Sequence, residues 1–356
     1  MRIRPAAAIV CVLVFAATFH IAPVHAAAIN GLVIFGDSLS DPGNNAFAMG
    51  STVSPPFNVT QRSDITSNAF LPTYPYATSL QYSNGNVWAY QLASTLGLSS
   101  QVAGPVLGGG LGANYAYGNA ATGPLNNVGF PPSLLTQTAS YISSLGPAQA
   151  PADSLYVVAG GGNNARVALA QIVGGADPTA TITATALQYA ADIGSIVDSL
   201  QGKGAANIVV WDVPNMGLAP AIAANGSTAV TLGTTLAQSM NSALTNRLAS
   251  ETGVQIFSIY SLVTAVNANP AAYGFINASD ASGAIPGADP SQYLCWDGIH
   301  PTAAGHAILA QSMYSAVVPE PSSCLLLVAG LVPAVLAVRR RWTPGRTEVV
   351  RRSNQD

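Results

Sequence analysis

Ile29-Asn30-Gly31-Leu32-Val33-Ile34-Phe35-Gly36-Asp37-Ser38 is the stretch that decides the fold. Its apolar residues run on without a polar alternation, which marks a strand buried on both faces. The run then breaks at once into Gly36-Asp37-Ser38. Three others behave alike: Ser154 to Ala159 before Gly160-Gly161-Gly162-Asn163-Asn164, Asn207 to Trp211 before Asp212-Val213-Pro214-Asn215, and Val254 to Ile259. Helical spacing fills the gaps. Thr183 to Leu200 carries Leu187, Ala190, Ile193 and Val197 near one face, Ala229 to Ser250 ends before Gly253, and Thr302 to Val317 begins at a Pro-Thr cap. Strands alternating with helices predict an α/β fold whose parallel sheet is covered on both sides. Ligands of such sheets gather at the carboxyl ends of the strands. Residues 42–110 are Pro- and Asn-rich and poorly periodic, and are expected to wrap that end. Residues 27–316 show no repeat or linker and read as one domain.

The ends of the chain read as addresses. Arg2 and Arg4, the apolar run Ala6 to Ala17, and Val24-His25-Ala26 have the order of a secretory signal over residues 1–26, with cleavage expected after Ala26. Residues 317–356 hold Val318-Pro319-Glu320-Pro321, the apolar run Ser322 to Val338, and Arg339-Arg340-Arg341. This order resembles a PEP-CTERM sorting signal, which in bacteria is recognised by exosortase-type machinery. A plain tail anchor is the alternative, and seventeen residues is the short limit for a membrane span. Both imply export, with membrane contact through the tail before any processing.

Charged residues are only 8% of the chain, against roughly 25% in ordinary soluble domains. Within 27–316 lie four basic residues, Arg62, Arg166, Lys203 and Arg247, against twelve acidic ones, a net charge of −8. No basic stripe exists to hold a phosphate backbone, so nucleic acid is not an expected partner. Cys295 is the one cysteine of that region, which excludes an internal disulfide there and a cysteine-based metal cluster.

Removal of the signal leaves two histidines, His300 and His306, as possible imidazole bases. No His-Glu-x-x-His spacing accompanies them, which weighs against zinc. In Asp297-Gly298-Ile299-His300-Pro301-Thr302 a carboxylate three residues before a histidine can turn back onto Nδ1 and leave Nε2 free. His306 lacks such a neighbour, and packing or surface exposure is its expected role. Ser38 follows a buried strand and can open a helix, where N–H groups favour negative charge. Asn163 at a strand end can offer an amide, and Asn114-Tyr115-Ala116-Tyr117-Gly118-Asn119 a backbone N–H, to a developing oxyanion. Each of these segments taken singly is equally a turn or a cap.

Taken together, and in this order, they resemble the GDSL, or SGNH-hydrolase, family of lipolytic enzymes. The matching blocks are Phe35-Gly36-Asp37-Ser38-Leu39-Ser40-Asp41-Pro42-Gly43-Asn44-Asn45, Asn114 to Gly118, Gly161-Gly162-Asn163 and Asp297 to Thr302. Tyr82-Ser83-Asn84-Gly85-Asn86-Val87-Trp88 is similar to a segment of larger members. The resemblance implies a three-layer α/β/α sandwich with a mainly parallel, flavodoxin-like sheet. It implies Ser38 as nucleophile, His300 as base and Asp297 as its orienting carboxylate. Ser38, Asn163 and either Gly118 or Asn119 would form the oxyanion hole, with no metal and no cofactor. Two departures stand out: Asn119 occupies the place of the family's oxyanion glycine, and Asn164 that of an aspartate. The implied substrates are esters, namely lipids, short acyl esters, thioesters or acetylated glycans. The alternative from another class is a non-catalytic or weakly active matrix or adhesion protein on the same fold.

Overall fold

The computed structural model describes residues 29–48, 80–104, 112–124 and 130–318. The signal segment, the tail beyond 318 and much of 42–110 lie outside the described residues. In chain order the elements are β1 (Gly31–Gly36), α1 (Asn44–Ala48), α2 (Trp88–Leu96), α3 (Leu134–Leu145), β2 (Ser154–Ala159), α4 (Gly162–Val173) and α5 (Pro178–Gly202). They continue with β3 (Asn207–Trp211), α6 (Pro220–Ala223), α7 (Ser227–Leu248), β4 (Val254–Phe257), α8 (Ile259–Ala268), β5 (Asn277–Ala281), β6 (Tyr293–Cys295) and α9 (Ala303–Val317).

Strands β1 to β4 form one parallel sheet in that order, with Gly31 level with Ser154 and Val158 level with Val210. The outer edge of β1 is covered by the strip 113–117. Ile34 N–H donates to Ala113 O, Tyr115 N–H to Ile34 O and Tyr117 N–H to Gly36 O. The chain therefore leaves β1 in one direction for this strip and returns past β1 to reach β2. Ser38, at the carboxyl end of β1, sits where the direction of winding reverses, the usual ligand crevice of an open α/β sheet.

Both faces of β1, β2 and β3 are buried, which explains their apolar runs, whereas β4 at the edge of the sheet has Gln255 exposed and is not buried on both faces as its run implies. Val33, Phe35, Tyr156, Val158, Ile208 and Val210 pack under α3, α5 and α7 through Leu134, Ile193, Ile196, Leu236 and Met240. Their sequence neighbours Leu32, Ile34, Leu155, Val157, Val209 and Trp211 face the other way, against Trp88 and Leu92 of α2 and Leu309 and Met313 of α9. The Trp88 and Trp211 rings meet at 4.6 Å between centroids. This is an α/β architecture with helices on both sides of a parallel sheet.

The four strands expected from the sequence are present, and the three helices are longer or shorter than their periodicity by a few residues. Helix α5 starts five residues before Thr183 because Asp177 caps it, accepting from Ala180 N–H at 2.7 Å with Pro178 at the first position. Residues 88–96 are a correction. They form a layer helix with Trp88, Ala89, Leu92 and Ala93 buried, not part of a wrap over the site.

Candidate active site

The turn that carries Ser38 is tightly held. Gln137 of α3 accepts from Gly36 N–H and donates to Gly36 O, both at 2.9 Å. A Cβ on Gly36 would lie 2.9 Å from Ala159 O, so β1 and β2 approach here only because residue 36 has no side chain. Asp37 accepts from Leu39 N–H at 3.0 Å through its side chain and from Ser40 N–H at 3.0 Å through its carbonyl. Residues 38–40 are thus a turn, and Ser38 does not open a helix as its sequence allows. The next helix waits until Asn44, because Asp41-Pro42-Gly43 intervenes and the Asp41 carboxylate caps it, accepting from Gly43, Asn44 and Asn45 N–H.

His300 stands in a hairpin between β6 and α9. Trp296 N–H donates to His300 O at 2.8 Å, and Thr302 N–H to Leu294 O at 2.8 Å. The Thr302 hydroxyl caps α9 by accepting from Gly305 N–H at 2.9 Å. Within the hairpin Asp297 Oδ1 accepts from the N–H groups of Ile299 and His300, each at 2.7 Å, and Oδ2 lies 2.7 Å from His300 Nδ1. A carboxylate only accepts, so Nδ1 carries the proton and Nε2 offers a lone pair. Nε2 is 2.9 Å from Ser38 Oγ, although 262 positions separate the two residues. Asp297 is fully buried and His300 nearly so, whereas Ser38 keeps 8% of its surface.

Asn163 lies in the first turn of α4, whose positive dipole end therefore points to this end of the sheet. Its amide orientation follows from its partners. The Arg166 guanidinium can only donate and reaches Oδ1 at 3.2 Å, while Ala120 O can only accept and takes one Nδ2 hydrogen at 2.9 Å. The second Nδ2 hydrogen meets no acceptor among the described residues. The neighbouring Asn164 grips Thr122, accepting from its N–H at 3.1 Å and donating to its hydroxyl at 2.9 Å. That hydroxyl donates to Asp192 Oδ2 at 2.7 Å. Asn164 is thus linked through Thr122 to the Asp192 carboxylate of α5.

The two alternatives for the loop donor differ in their hydrogen bonding. Gly118 N–H is engaged, donating to Asp41 Oδ2 at 2.7 Å. Asn119 has φ of +65°, the left-handed conformation that favours glycine, and its N–H meets no acceptor among the described residues. Tyr82, Asn45 and Asp41 surround this loop. In the chain they are marked by nothing beyond the Asp41 to Asn45 and Tyr82 to Trp88 motifs that contain them. Tyr82 lies over His300 with ring centroids 5.2 Å apart.

Two carboxyls here are strongly displaced. Burial raises Asp37 to about 6, against the lowering effect of Leu39 N–H, His300 and Arg166. Burial likewise raises Asp41 to about 7, although four backbone N–H groups favour its charge. His306 is not at the surface. It is fully buried in α9 with neither ring nitrogen hydrogen bonded, and burial, reinforced by His300, lowers it to about 3. Among the described residues, no three His, Cys, Asp or Glu side chains are gathered as for a metal ion. A polar cleft of about 400 Å³ between α7 and α8 is lined by Asp212, Gln238, Asn241 and Tyr260, and contains none of the residues above.

A nucleophilic hydroxyl, a base of defined tautomer, a buried orienting carboxylate and unengaged N–H donors can carry out acyl transfer. The family model of the GDSL-like lipase/acylhydrolases matches residues 32–313. No curated protein matches the chain.

Proposed function

The chain belongs to the GDSL-like lipase/acylhydrolase family, and on that footing we propose that it is an exported serine esterase that cleaves carboxylic esters through an acyl-enzyme on Ser38. The observation that carries this reading is the relay from Ser38 Oγ to His300 Nε2 at 2.9 Å and from His300 Nδ1 to Asp297 Oδ2 at 2.7 Å. In the proposed reaction Oγ attacks the ester carbonyl carbon and its proton passes to Nε2. The negative charge on the carbonyl oxygen is met by the N–H groups of Ser38 and Asn119 and the free amide hydrogen of Asn163. The tetrahedral species collapses, and the departing alkoxide takes the proton from Nε2. Water, deprotonated by the same nitrogen, then releases the acid and restores Ser38.

Asp297 holds the tautomer throughout and stabilises the imidazolium. Export is supported by the order of residues in 1–26, and transient membrane contact and exosortase-type sorting by that in 317–356. Lipids, short acyl esters, thioesters and acetylated glycans are the substrate classes to compare, in a panel of varied acyl length.

Ser38→Ala is expected to abolish turnover of a short-chain aryl ester and labelling by a fluorophosphonate. Turnover unchanged in that variant refutes the assignment. A wild-type protein that takes no label favours instead the non-catalytic reading of the fold.

A further inference from the structure

We propose that Asp41, assisted by Asn45 and Tyr82, is the positioning residue that aims the Asn119 N–H at the oxyanion. The inference rests on the serine esterase reading and concerns how one of its donors is held. Three contacts converge on Gly118, the residue before that donor. Asp41 Oδ2 accepts from Gly118 N–H at 2.7 Å. Asn45 Nδ2 donates to Gly118 O in a long 3.4 Å contact and also to the Tyr82 hydroxyl. The Tyr82 ring occupies the space that a Cβ on residue 118 would need, so the loop lies flat against it.

The geometry of a trans peptide turns these contacts into a statement about Asn119. Across one peptide unit the carbonyl and the following N–H point in opposite directions. With Gly118 O drawn toward Asn45, Asn119 N–H points away from Asn45 and Tyr82. Asn119 itself has φ of +65°, a conformation that a residue with a Cβ keeps only when its surroundings impose it. Asp41 is suited to impose it. Its carboxylate is fully buried, bound to three N–H groups of its own turn, and joined to a loop 77 positions away.

The carboxylate ties the turn that follows the nucleophile to the loop that carries the donor. Movement of one is therefore movement of the other. Tyr82 adds the third side, since the ring that flattens Gly118 also packs on His300. Asn45 and Tyr82 are both buried, so neither contact is open to competition from bulk water.

The test is Asp41→Asn, assayed at about pH 8, above the value of about 7 to which burial raises the native carboxyl. An amide in place of the carboxylate sets N–H against N–H either at Gly118 or within the Asp41 turn. Active sites are counted with a fluorophosphonate, so that misfolded molecules are left out. Per site, kcat is expected to fall about 10²-fold with KM little changed, the scale of a lost or displaced oxyanion donor. Affinity for an alkyl boronic acid, whose adduct with Ser38 imitates the tetrahedral species, should fall by the same factor.

A kcat per site within about threefold of wild type, with unchanged boronate affinity, overturns the proposal. If Asp41→Asn does not fold, Asn45→Ala and Tyr82→Phe remove the carbonyl contact and the hydroxyl that holds Asn45, without touching the cap of α1. Each is expected to lose roughly tenfold in kcat and in boronate affinity together. No loss in either variant again overturns it. Wild-type protein that takes no fluorophosphonate refutes the esterase reading itself, a result distinct from failure of the clamp.

Discussion

The loop that carries His300 and the loop that carries Asn119 are held in different ways. The first is held mainly from within, with Ala221 N–H donating to Gly298 O and the Ser83 hydroxyl to Pro301 O as its ties from outside. Asp297 caps its own turn and binds the His300 ring, and the ends of the hairpin are fastened by Trp296, Leu294 and Thr302 within a ten-residue span. The second has almost no internal support. Its residues are fixed by Asp41, Asn45, Tyr82 and Asn163, and, one step further out, Thr122 is fixed by Asn164 and Asp192. The difference indicates where the molecule is vulnerable. The His300 ring takes its orientation chiefly from Asp297 three residues away, whereas the conformation at Asn119 depends on several distant elements.

The strongest way to break this contrast is Asp297→Asn. An amide there can present a donor to Nδ1 and favour the wrong tautomer, so kcat is expected to fall about 10³–10⁴-fold while the fold survives. Steady-state kinetics beside a thermal melt will decide it, and a loss below tenfold would contradict the orienting role. Asn163→Ala addresses the other side. Loss of one oxyanion donor should cost roughly 10²–10³ in kcat with KM nearly unchanged. A change confined to KM would mean that the amide binds the ground state instead.

A smaller effect sharpens the comparison through pH. Folding lowers His306 from 6.5 to about 3, so between those values the unfolded chain binds the proton more tightly. Stability contributed by neutral His306 is therefore lost as pH falls from 6.5 toward 3. Asp37 and Asp41 behave in the reverse sense. Raised from 3.8 to about 6 and about 7, they contribute stability that is complete below 3.8 and is lost as pH rises through 6 to 7. The two sides thus oppose each other under acid. His306→Leu removes one partner, and its stability relative to wild type should increase from pH 7 to pH 5, measured by urea unfolding. A stability difference that does not change with pH would exclude His306 as the opposing group.

Much of the site was readable in the chain because its chemistry is written locally. The apolar runs of β1, β2 and β3 announced strands buried on both faces, and those of β1 and β2 lead into the turns that carry Ser38 and Asn163. Asp297 and His300 are three residues apart, a spacing at which a carboxylate reaches the ring nitrogen whatever the rest of the fold does. Helix α2 was missed because its buried face, Trp88, Ala89, Leu92 and Ala93, spans little more than one turn within a poorly periodic segment. Asn119 stands where the resemblance implies a glycine. Its positive φ is the conformation that favours glycine.

By itself the sequence determined the strands, the order of the motifs and the pairing of Asp297 with His300, since each depends on alternation or on near neighbours. Only the tertiary structure decided which N–H groups are engaged and which are free. A backbone donor is identical at every position, and whether it binds Asp41 or awaits a ligand depends on a side chain 77 residues away. The link from Asn164 through Thr122 to Asp192 is of the same kind. Such bonds form between atoms that happen to adjoin once the sheet is wound, and nothing in their spacing along the chain announces them.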